Sequence, residues 1–321
     1  MPTLTILIAL STWTAIVLAQ PRSAGAPAIL ETRPVAFPPY GSNPRIAQFM
    51  TTREAYERAA GERAFVMERV TYRSDGLDVF AYLYRPAEPP KDRRLPIVVY
   101  NRGSYVRDDF SYEVLAAGYP LARDGYLIVA PMLRGSGGAS GHDEMGGADL
   151  HDLFNVLPVI REIPYADSER IFMYGESRGG IMCLLAAKEG FPARAAAVWG
   201  AITDLSAYLA RDAGARQLTP KIWPGYPANE VEIAERRSAI RWPEKINVPM
   251  LLMNGGADPQ VSSSHALELA SAFEKLRKPY ELKIYFGEGH ITPRARADER
   301  LGDITRWFRR FDPVNGQKGA R

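Results

Sequence analysis

Six short, mostly apolar runs recur along the chain, and segments of helical character separate them. The runs are LPIVVYN (95–101), YLIVAPM (126–132), RIFMYG (170–175), AAAVWG (195–200), VPMLLMNG (248–255) and YELKIYF (280–286). Continuous apolar runs of this length are typical of strands that are buried on both faces. The helical segments are predicted near 111–123, 147–162, 178–190, 264–277 and 296–310. This alternation predicts an α/β fold with a mainly parallel central sheet and helices on both faces.

Two regions depart from the alternating pattern. Before the first apolar run, AFVMERVTY (64–72) and LDVFAYLYRP (77–86) predict a hairpin around Ser74, Asp75 and Gly76. Residues 205–245 are rich in proline, aromatic residues and arginine, and they predict a small insertion over the ends of the strands. We therefore expect one catalytic domain over residues 45–311, opened by a helix over 44–61, and a C-terminal tail over 312–321.

The N-terminal residues predict export. No charged side chain occurs between Pro2 and Pro21, and the apolar stretch is shorter than the roughly 20 residues that a membrane span needs. We interpret residues 1–19 as a secretory signal peptide cleaved after Ala19, and the proline-rich residues 20–44 as a linker or surface segment. The protein is then periplasmic or secreted. An uncleaved membrane anchor is the alternative.

Composition excludes several function classes. The chain has 321 residues, a formal net charge of +3 and interspersed acidic and basic residues, so nucleic acid is not an expected partner. Cys183 is the single cysteine, which excludes an intramolecular disulfide and a zinc site built on several thiolates. The run His142-Asp143-Glu144 could coordinate a cation, but we interpret it as a solvated loop, and we expect neither a metal nor a cofactor. The sequence leaves the oligomeric state open.

The motif Gly175-Glu176-Ser177-Arg178-Gly179 follows an apolar run and precedes a helical segment. In the G-x-S-x-G pattern a strand turns abruptly into a helix and exposes the serine hydroxyl at the turn. The glycines two residues before and after the serine allow close backbone approach, since Cβ atoms there would collide with neighbouring chain. The N-terminus of the helix can stabilise developing negative charge. The sequence therefore predicts that Ser177 is a catalytic nucleophile.

A nucleophilic serine requires a base, and the chain has four histidines. His151 lies in a predicted helix beside acidic residues, and His265 lies early in another, so we interpret both as structural or surface residues. His142 lies in a glycine-rich loop and is the one serious rival. His290 follows the last apolar run in YFGEGHI, where a glycine-rich loop can bring an imidazole to the serine. We predict that His290 is the base.

The acid that orients the base is expected between the serine and the histidine in chain order. Asp258 immediately follows the run 248–255 in NGGADPQVS, and its carboxylate would hold one imidazole nitrogen. Asp204 and Glu288 are the rival acids. We predict Asp258.

Five stretches follow one another along the chain. They are LRGSGGASG (133–141), GGADLHDLFNVLPVI (146–160), GESRGG, NGGADPQVS and GEGH. Over roughly residues 65–311 the chain resembles the prolyl-oligopeptidase-type serine hydrolases of the α/β-hydrolase superfamily. The resemblance implies an α/β-hydrolase fold and acyl transfer. Ser177 would attack a carbonyl, His290 would take and return the proton, and water would release the acyl group.

The chain departs from this family in two respects. Many members carry an N-terminal β-propeller of several hundred residues, for which this sequence has no room. In many members, a tyrosine hydroxyl or a backbone amide after the strand that matches 95–101 donates a hydrogen bond to the oxyanion. Here we expect the amides of Arg178 and Arg102 as donors, with the Asn101 side chain and the Tyr105 hydroxyl as alternatives. Tyr105, Arg102 and Arg134 are candidate substrate contacts, the two arginines for an acidic group.

The sequence thus predicts a serine hydrolase that cleaves esters or peptide-like amides, with a small ester or a short peptide as its partner. The missing propeller favours ester or other acyl substrates slightly. A catalytically inactive hydrolase-fold binding protein and an acyltransferase are the alternatives. Contact with a membrane is expected only if the N-terminal segment is uncleaved.

Overall fold

A single nine-stranded sheet organises the part of the chain that the computed structural model describes, namely residues 27–49, 52–105, 111–226, 228–291 and 294–313. The order of strands across the sheet is β1-β2-β3-β5-β4-β6-β7-β8-β9. The strands are β1 (Ile29–Pro34), β2 (Phe65–Ser74), β3 (Leu77–Pro86), β4 (Leu95–Asn101), β5 (Leu127–Pro131), β6 (Ala166–Glu176), β7 (Ala196–Trp199), β8 (Met250–Gly255) and β9 (Tyr280–Tyr285). Strands β4 to β9 pair in parallel, whereas β1, β2 and β3 pair antiparallel. The predicted mainly parallel sheet and the predicted hairpin are confirmed.

Helices cover both faces of this sheet. They are α1 (Pro44–Phe49), α2 (Arg53–Gly61), α3 (Ser111–Arg123), α4 (Leu150–Phe154), α5 (Val156–Glu162), α6 (Arg178–Lys188), α7 (Leu205–Arg211), α8 (Ala213–Ile222), α9 (Glu230–Arg237), α10 (Ser264–Lys275) and α11 (Arg294–Phe311). Helices α1, α2, α3 and α11 contribute to the core on one face, and α4 to α10 contribute to the core on the other.

The central strand β6 contributes buried side chains to the cores on both faces of the sheet. Ile171 and Met173 point to the face of α4 to α10, whereas Phe172 and Tyr174 point to the face of α3 and α11. All four are buried, because side chains alternate between faces and both faces are covered. The strand ends at Glu176, and Ser177 follows at the carboxyl edge of the sheet.

Two local elements differ from the sequence prediction. The predicted helix over 147–162 is divided into α4 and α5, because Pro158 has no amide hydrogen to donate to the carbonyl of Phe154. The predicted helix over 44–61 is divided into α1 and α2. Thr52 caps α2 by accepting from the amide of Ala55 at 3.1 Å.

The segment 20–44, interpreted above as a linker, contributes a strand. Its residues 29–34 form β1, which pairs with β2 at the edge of the sheet and is largely exposed. The edge position tolerates Pro34, because an outer strand needs partners on one side only. Residues 1–26, with the predicted signal peptide, lie outside the described residues, as do residues 314–321 of the predicted tail. Asp312, which the sequence assigned to that tail, is buried and ion-paired with Arg170 at 2.6 Å.

Residues 205–245 form helices α7, α8 and α9 beside the carboxyl ends of the strands. Several hydrogen bonds attach them to the loop after β5. The Trp223 indole donates to the carbonyl of Glu144 at 2.6 Å, and Arg237 Nε donates to that of Met145 at 2.8 Å. In the described parts of the chain, none of the helices combines the length and the hydrophobicity that a transmembrane segment requires.

Phe172 tests how much the core between the sheet and helices α3 and α11 contributes to stability. Its ring is fully buried and stacks on Phe308 with a centroid distance of 4.8 Å. We expect Phe172→Ala to lower the free energy of unfolding by about 3–5 kcal/mol, because the cavity cannot collapse between a sheet and a helix. Denaturant unfolding measures this loss. Leu267→Ala on α10, where the leucine is 49% exposed, is the control and should change stability by less than about 1 kcal/mol. Equal losses in the two variants would contradict the prediction.

Candidate active site

Ser177 occupies the turn between β6 and α6. Its backbone has φ 53° and ψ −118°, a left-handed conformation that is costly for a residue with a side chain. The Ser177 amide donates to the carbonyl of Trp199 on β7 at 2.8 Å, which fixes the turn against the neighbouring strand. The side chain is half-buried and lines a cavity. This is the strained strand-to-helix turn that the G-x-S-x-G motif predicts.

Three glycines permit this turn. A Cβ atom on Gly175 would overlap the carbonyl of Gly179, and one on Gly179 would overlap the carbonyl of Asn101 at the end of β4. Gly180 is packed in the same way against Ala201. Backbone atoms cannot rotate away as a side chain can, so these positions exclude every larger residue. The helix α6 is thereby held directly against β4 and the chain after β7.

Asp258 and His290 form a hydrogen-bonded pair at the ends of β8 and β9. His290 Nδ1 lies 2.7 Å from Asp258 Oδ2, and the side chains are 9% and 0% exposed. The other oxygen of Asp258, Oδ1, accepts from the amides of Gln260 and Val261 at 2.9 Å each. Both oxygens of the carboxylate are therefore fixed, and its contact with the imidazole engages Nδ1 rather than Nε2.

Gly200 packs directly against the imidazole of His290. A Cβ atom at this position would lie 2.9 Å from His290 Cε1, and the backbone has φ +54°. The Trp199 indole donates to the carbonyl of His290 at 2.9 Å and so fixes the loop that carries the ring. Sequence reasoning missed Gly200, although a glycine directly after an apolar strand was a usable signal.

The other histidines lie in other surroundings. His142 Nε2 contacts the carbonyl of Ile222 at 3.0 Å, and His151 Nδ1 contacts Asp75 at 2.7 Å. His265 is buried on α10, where desolvation lowers its pKa. Of the four, His290 is the one that lines the cavity with Ser177.

The rival acids are also engaged elsewhere. Asp204 caps α7 by accepting from the amide of Ala207 at 3.0 Å. Glu288 pairs with Arg296 at 3.2 Å. Neither contacts the imidazole of His290 in the described hydrogen bonds, whereas Asp258 does.

The predicted oxyanion residues divide into two groups. Arg178, Tyr105 and the neighbouring Gly103 line the cavity, whereas Asn101 and Arg102 do not. The Asn101 side chain donates instead to Cys183 Sγ at 3.2 Å, behind the nucleophile turn. Cys183 is fully buried, and desolvation raises the pKa of its thiol to about 12, as expected of a small core residue.

Gly103 lies close to the nucleophile. A Cβ atom on Gly103 would lie 3.5 Å from Ser177 Cβ. The segment Gly103–Ser104 therefore lies beside the serine and lines the cavity, whereas Arg102 does not line it. Tyr105 lines the same wall, but its hydroxyl donates to the carbonyl of Asp143 at 3.0 Å, so that proton is already engaged.

The arginines that were candidates for an acidic substrate group are buried and paired. Arg134 Nη2 lies 2.6 Å from Asp152 and 2.8 Å from Asp75, and the side chain is 7% exposed and does not line the cavity. The Arg102 guanidinium is fully buried and contacts Asp143. Neither guanidinium reaches the cavity, which corrects the interpretation of the two side chains as substrate contacts. Sequence alone cannot distinguish an arginine that pairs internally from one that awaits a ligand.

The loop His142-Asp143-Glu144 does not gather its side chains around a common point. Asp143 pairs with Arg102 and Arg178, and Glu144 accepts from the amide of Ala148 at 2.9 Å. In the described parts of the chain, no group of three or more potential ligands is placed to hold a metal ion.

The cavity beside Ser177 has a volume of about 590 Å³ and two dissimilar walls. One wall comes from the insertion and is mainly apolar, with Leu205, Tyr208, Leu209, Leu218, Ile222 and Trp223. The other comes from α3, α11 and the end of β6 and includes Glu113, Glu176 and Arg300. Arg300 pairs with Glu176 at 3.0 Å and lies over the Trp199 ring at 4.3 Å. Ser177 and His290 line the same cavity as these apolar and charged side chains.

Comparison with known proteins identifies the family. Residues 112–312 match the sequence profile described as the prolyl oligopeptidase family, which is more than half of the chain. The chain belongs to the prolyl oligopeptidase family. It is an α/β-hydrolase and an enzyme, a serine hydrolase of the peptidase type.

Several prolyl oligopeptidase relatives are similar over most of this chain. "Uncharacterized peptidase YtmA" of Bacillus subtilis is 29% identical over 75% of this chain and 92% of its own length. The human acylamino-acid-releasing enzyme is 26% identical over 73% of this chain, which spans 34% of that enzyme. Among solved structures, Pyrococcus horikoshii acylaminoacyl peptidase has a TM-score of 0.65 and 23% identity over 77% of this chain and 42% of its own. At that identity the structural likeness shows the fold.

Gly179 offers a direct test of the nucleophile turn. We expect Gly179→Ala to lower the free energy of unfolding by about 1–3 kcal/mol, because the new methyl group forces α6 away from β4. Thermal or denaturant unfolding measures the effect. Gly61→Ala at the end of α2 is the matched control, since a Cβ atom there meets nothing within 4 Å. A Gly179→Ala protein as stable as Gly61→Ala would contradict the proposed close approach.

Proposed function

We propose that this prolyl oligopeptidase relative hydrolyses an amide or ester bond in a short substrate through Ser177, His290 and Asp258. One observation carries the proposal. The imidazole of His290 is held by Asp258 at 2.7 Å and shares a cavity with a serine at a strained turn. A nucleophile, a base and an orienting acid in this relation are the parts that acyl transfer requires.

The chemistry follows from the positions of the groups. The Nδ1–H of His290 donates a hydrogen bond to Asp258, which keeps the proton on Nδ1, so that Nε2 carries the lone pair that takes the Ser177 proton. The alkoxide attacks the substrate carbonyl and forms a tetrahedral intermediate, and the imidazolium returns its proton to the leaving group. The bond between the carbonyl carbon and the leaving group breaks, which leaves the acyl group on Ser177. Water, deprotonated by His290, then attacks this acyl-enzyme, and the acid product departs as Ser177 recovers its proton. Because the side chain of Asp258 is fully buried, its negative charge stabilises the imidazolium with little screening by solvent.

Backbone amides are the proposed oxyanion donors. Arg178 is the first residue of α6, where helical geometry leaves amides without an intrahelical carbonyl. The second donor is an amide of the Gly103–Ser104 segment, which lies beside Ser177 on the cavity wall. Donors built from the backbone of two fixed loops need no reorganisation when charge develops on the substrate oxygen.

The relatives favour a peptide-like amide over an ester. The similar Bacillus subtilis protein is named a peptidase, and the similar human protein is named an acylamino-acid-releasing enzyme. Peptide substrates are accordingly our first proposal, and ester cleavage is a second activity of the same machinery. The cavity of about 590 Å³ suits a short peptide rather than a folded protein.

Removal of the nucleophile or of the orienting acid tests the mechanism. We expect Ser177→Ala to lower kcat by about 10⁴–10⁶-fold and to abolish labelling by a fluorophosphonate probe. Asp258→Asn should lower kcat by about 10⁴-fold, because the amide no longer holds the required tautomer of His290. Asp204→Asn is the matched control, since that acid caps α7 and leaves His290 untouched. Unlabelled wild-type protein would favour the inactive binding protein, and full activity of Ser177→Ala would contradict the mechanism.

Matched substrates test the bond that is cleaved. We expect purified protein to release 4-nitroaniline from aminoacyl or dipeptidyl anilides and 4-nitrophenol from the corresponding esters. An apolar residue at the acyl side should raise kcat/KM, because one cavity wall is apolar. Cleavage of esters alone would overturn the peptidase proposal.

Addition of a nucleophilic amine or alcohol to the assay tests the acyltransferase alternative, because it detects transfer of the acyl group to an acceptor other than water.

We also propose export, on the uncharged apolar residues 2–21. Expression of the full-length chain in a bacterial host, followed by mass measurement, tests this proposal. A mature N-terminus at Gln20 in the exported fraction is the expected result. Retention of residues 1–19 in a membrane fraction would favour the anchor, and intact protein in the cytoplasm would contradict both.

A further inference from the structure

A buried carboxylate joins the two loops that flank the proposed oxyanion site. Asp143 Oδ2 lies 3.4 Å from Arg102 Nη2, and Asp143 Oδ1 pairs with Arg178 Nη2. The side chains are 0% exposed for Asp143 and Arg102 and 3% for Arg178. Arg102 follows β4, and Arg178 follows the nucleophile, so one acid contacts both loops.

Arg102 determines the conformation of the first loop. Its Nη1 donates to the carbonyls of Gly103 at 3.1 Å and Ser104 at 2.9 Å. A trans peptide is planar, with its carbonyl and its amide hydrogen on opposite sides. The next amides, of Ser104 and Tyr105, therefore point away from the guanidinium. Ser104 is held at φ +63°, a conformation that an unrestrained serine rarely adopts.

The second of these loops is the nucleophile turn, and Arg178 is the residue at which this turn enters α6. Its guanidinium reaches past the nucleophile turn into the interior, where Nη2 also contacts Asp149 at 2.8 Å. Asp149 in turn accepts from the amides of Gly146 and Gly147 at 2.8–3.1 Å. The backbone of Arg178 is thus held both by the turn itself and by its own buried side chain.

Two arginines and two aspartates balance in charge within this cluster. Burial makes each pairing strongly dependent on its partner, since a lone buried charge is costly. Asp143 is the member that contacts both arginines. Loss of its charge would leave the two loops without a common counter-ion, while each loop kept its remaining contacts.

We propose that Asp143 is a positioning residue for the oxyanion hole. It sets the separation between the Arg178 amide and the amides of the Gly103–Ser104 segment, which would stabilise the tetrahedral intermediate. This inference rests on the proposed function, because it assumes attack by Ser177. It predicts that a change at Asp143 weakens binding of the transition state more than binding of the substrate.

The experiment compares Asp143→Asn with a matched control. We expect Asp143→Asn to lower kcat about 10–100-fold with less than about a threefold change in KM, since loss of one oxyanion donor costs about 10²–10³-fold. Affinity for a peptide aldehyde, which forms a tetrahedral adduct with serine, should fall by the same factor as kcat/KM. Affinity for the peptide alcohol of the same sequence, which forms no adduct, should stay within about threefold.

Asp152→Asn is the control. Asp152 is equally buried and pairs with Arg134, but it contacts neither loop in the described hydrogen bonds. We expect this variant to lose stability like Asp143→Asn and to keep the ratio of aldehyde to alcohol affinity of the wild type. A second variant, Arg102→Lys, keeps the charge beside Asp143 but loses the guanidinium fork that holds the loop carbonyls. It should show the same selective loss of aldehyde affinity, and it carries the test if Asp143→Asn does not fold.

Each result of these affinity and labelling measurements either supports or overturns the inference. Aldehyde affinity that falls in Asp143→Asn or Arg102→Lys but not in Asp152→Asn supports the inference. Unchanged aldehyde affinity in the Asp143 and Arg102 variants, or an equal loss in Asp152→Asn, overturns it while labelled wild-type enzyme leaves the proposed function standing. Wild-type protein that a fluorophosphonate does not label at Ser177 overturns the proposed function and this inference together.

Discussion

Direct backbone contact between α6 and the ends of β4 and β7 is the constraint on which the rest of the site depends. Gly179 lies against the carbonyl of Asn101, and Gly180 lies against Ala201. This proximity lets the chain turn at Ser177 without an intervening layer of side chains. It also places the first amides of α6 beside the loop after β4. The strain at Ser177 persists because strands on both sides fix the residues around it.

The same edge of the sheet collects the remaining groups. In a parallel sheet all strands end on one side, so Asp258 after β8 and His290 after β9 reach the region of Ser177 after β6. The insertion then supplies apolar side chains, and α11 and the end of β6 supply the paired charges of Arg300 and Glu176. The asymmetry gives the cavity a direction in which a substrate can be oriented.

Buried ion pairs stabilise the loops around this edge. Arg102, Arg134 and Arg178 all turn inward and pair with aspartates, although arginines in glycine-rich loops suggest ligand binding in a linear sequence. A buried guanidinium can donate to several carbonyls at once, as Arg102 does. The guanidinium groups of these three arginines therefore stabilise the protein's own loops through pairing with aspartates.

The sequence by itself determined the layered fold and the candidate residues Ser177, His290 and Asp258. Apolar runs and glycine spacing are local patterns, and they follow directly from strand burial and tight turns. Tertiary structure alone decided which arginines are internal, that residues 29–34 join the sheet, and that Gly200 supports the imidazole. These features depend on contacts between residues far apart in the chain, and a linear pattern does not specify which distant partner a charged or small side chain meets.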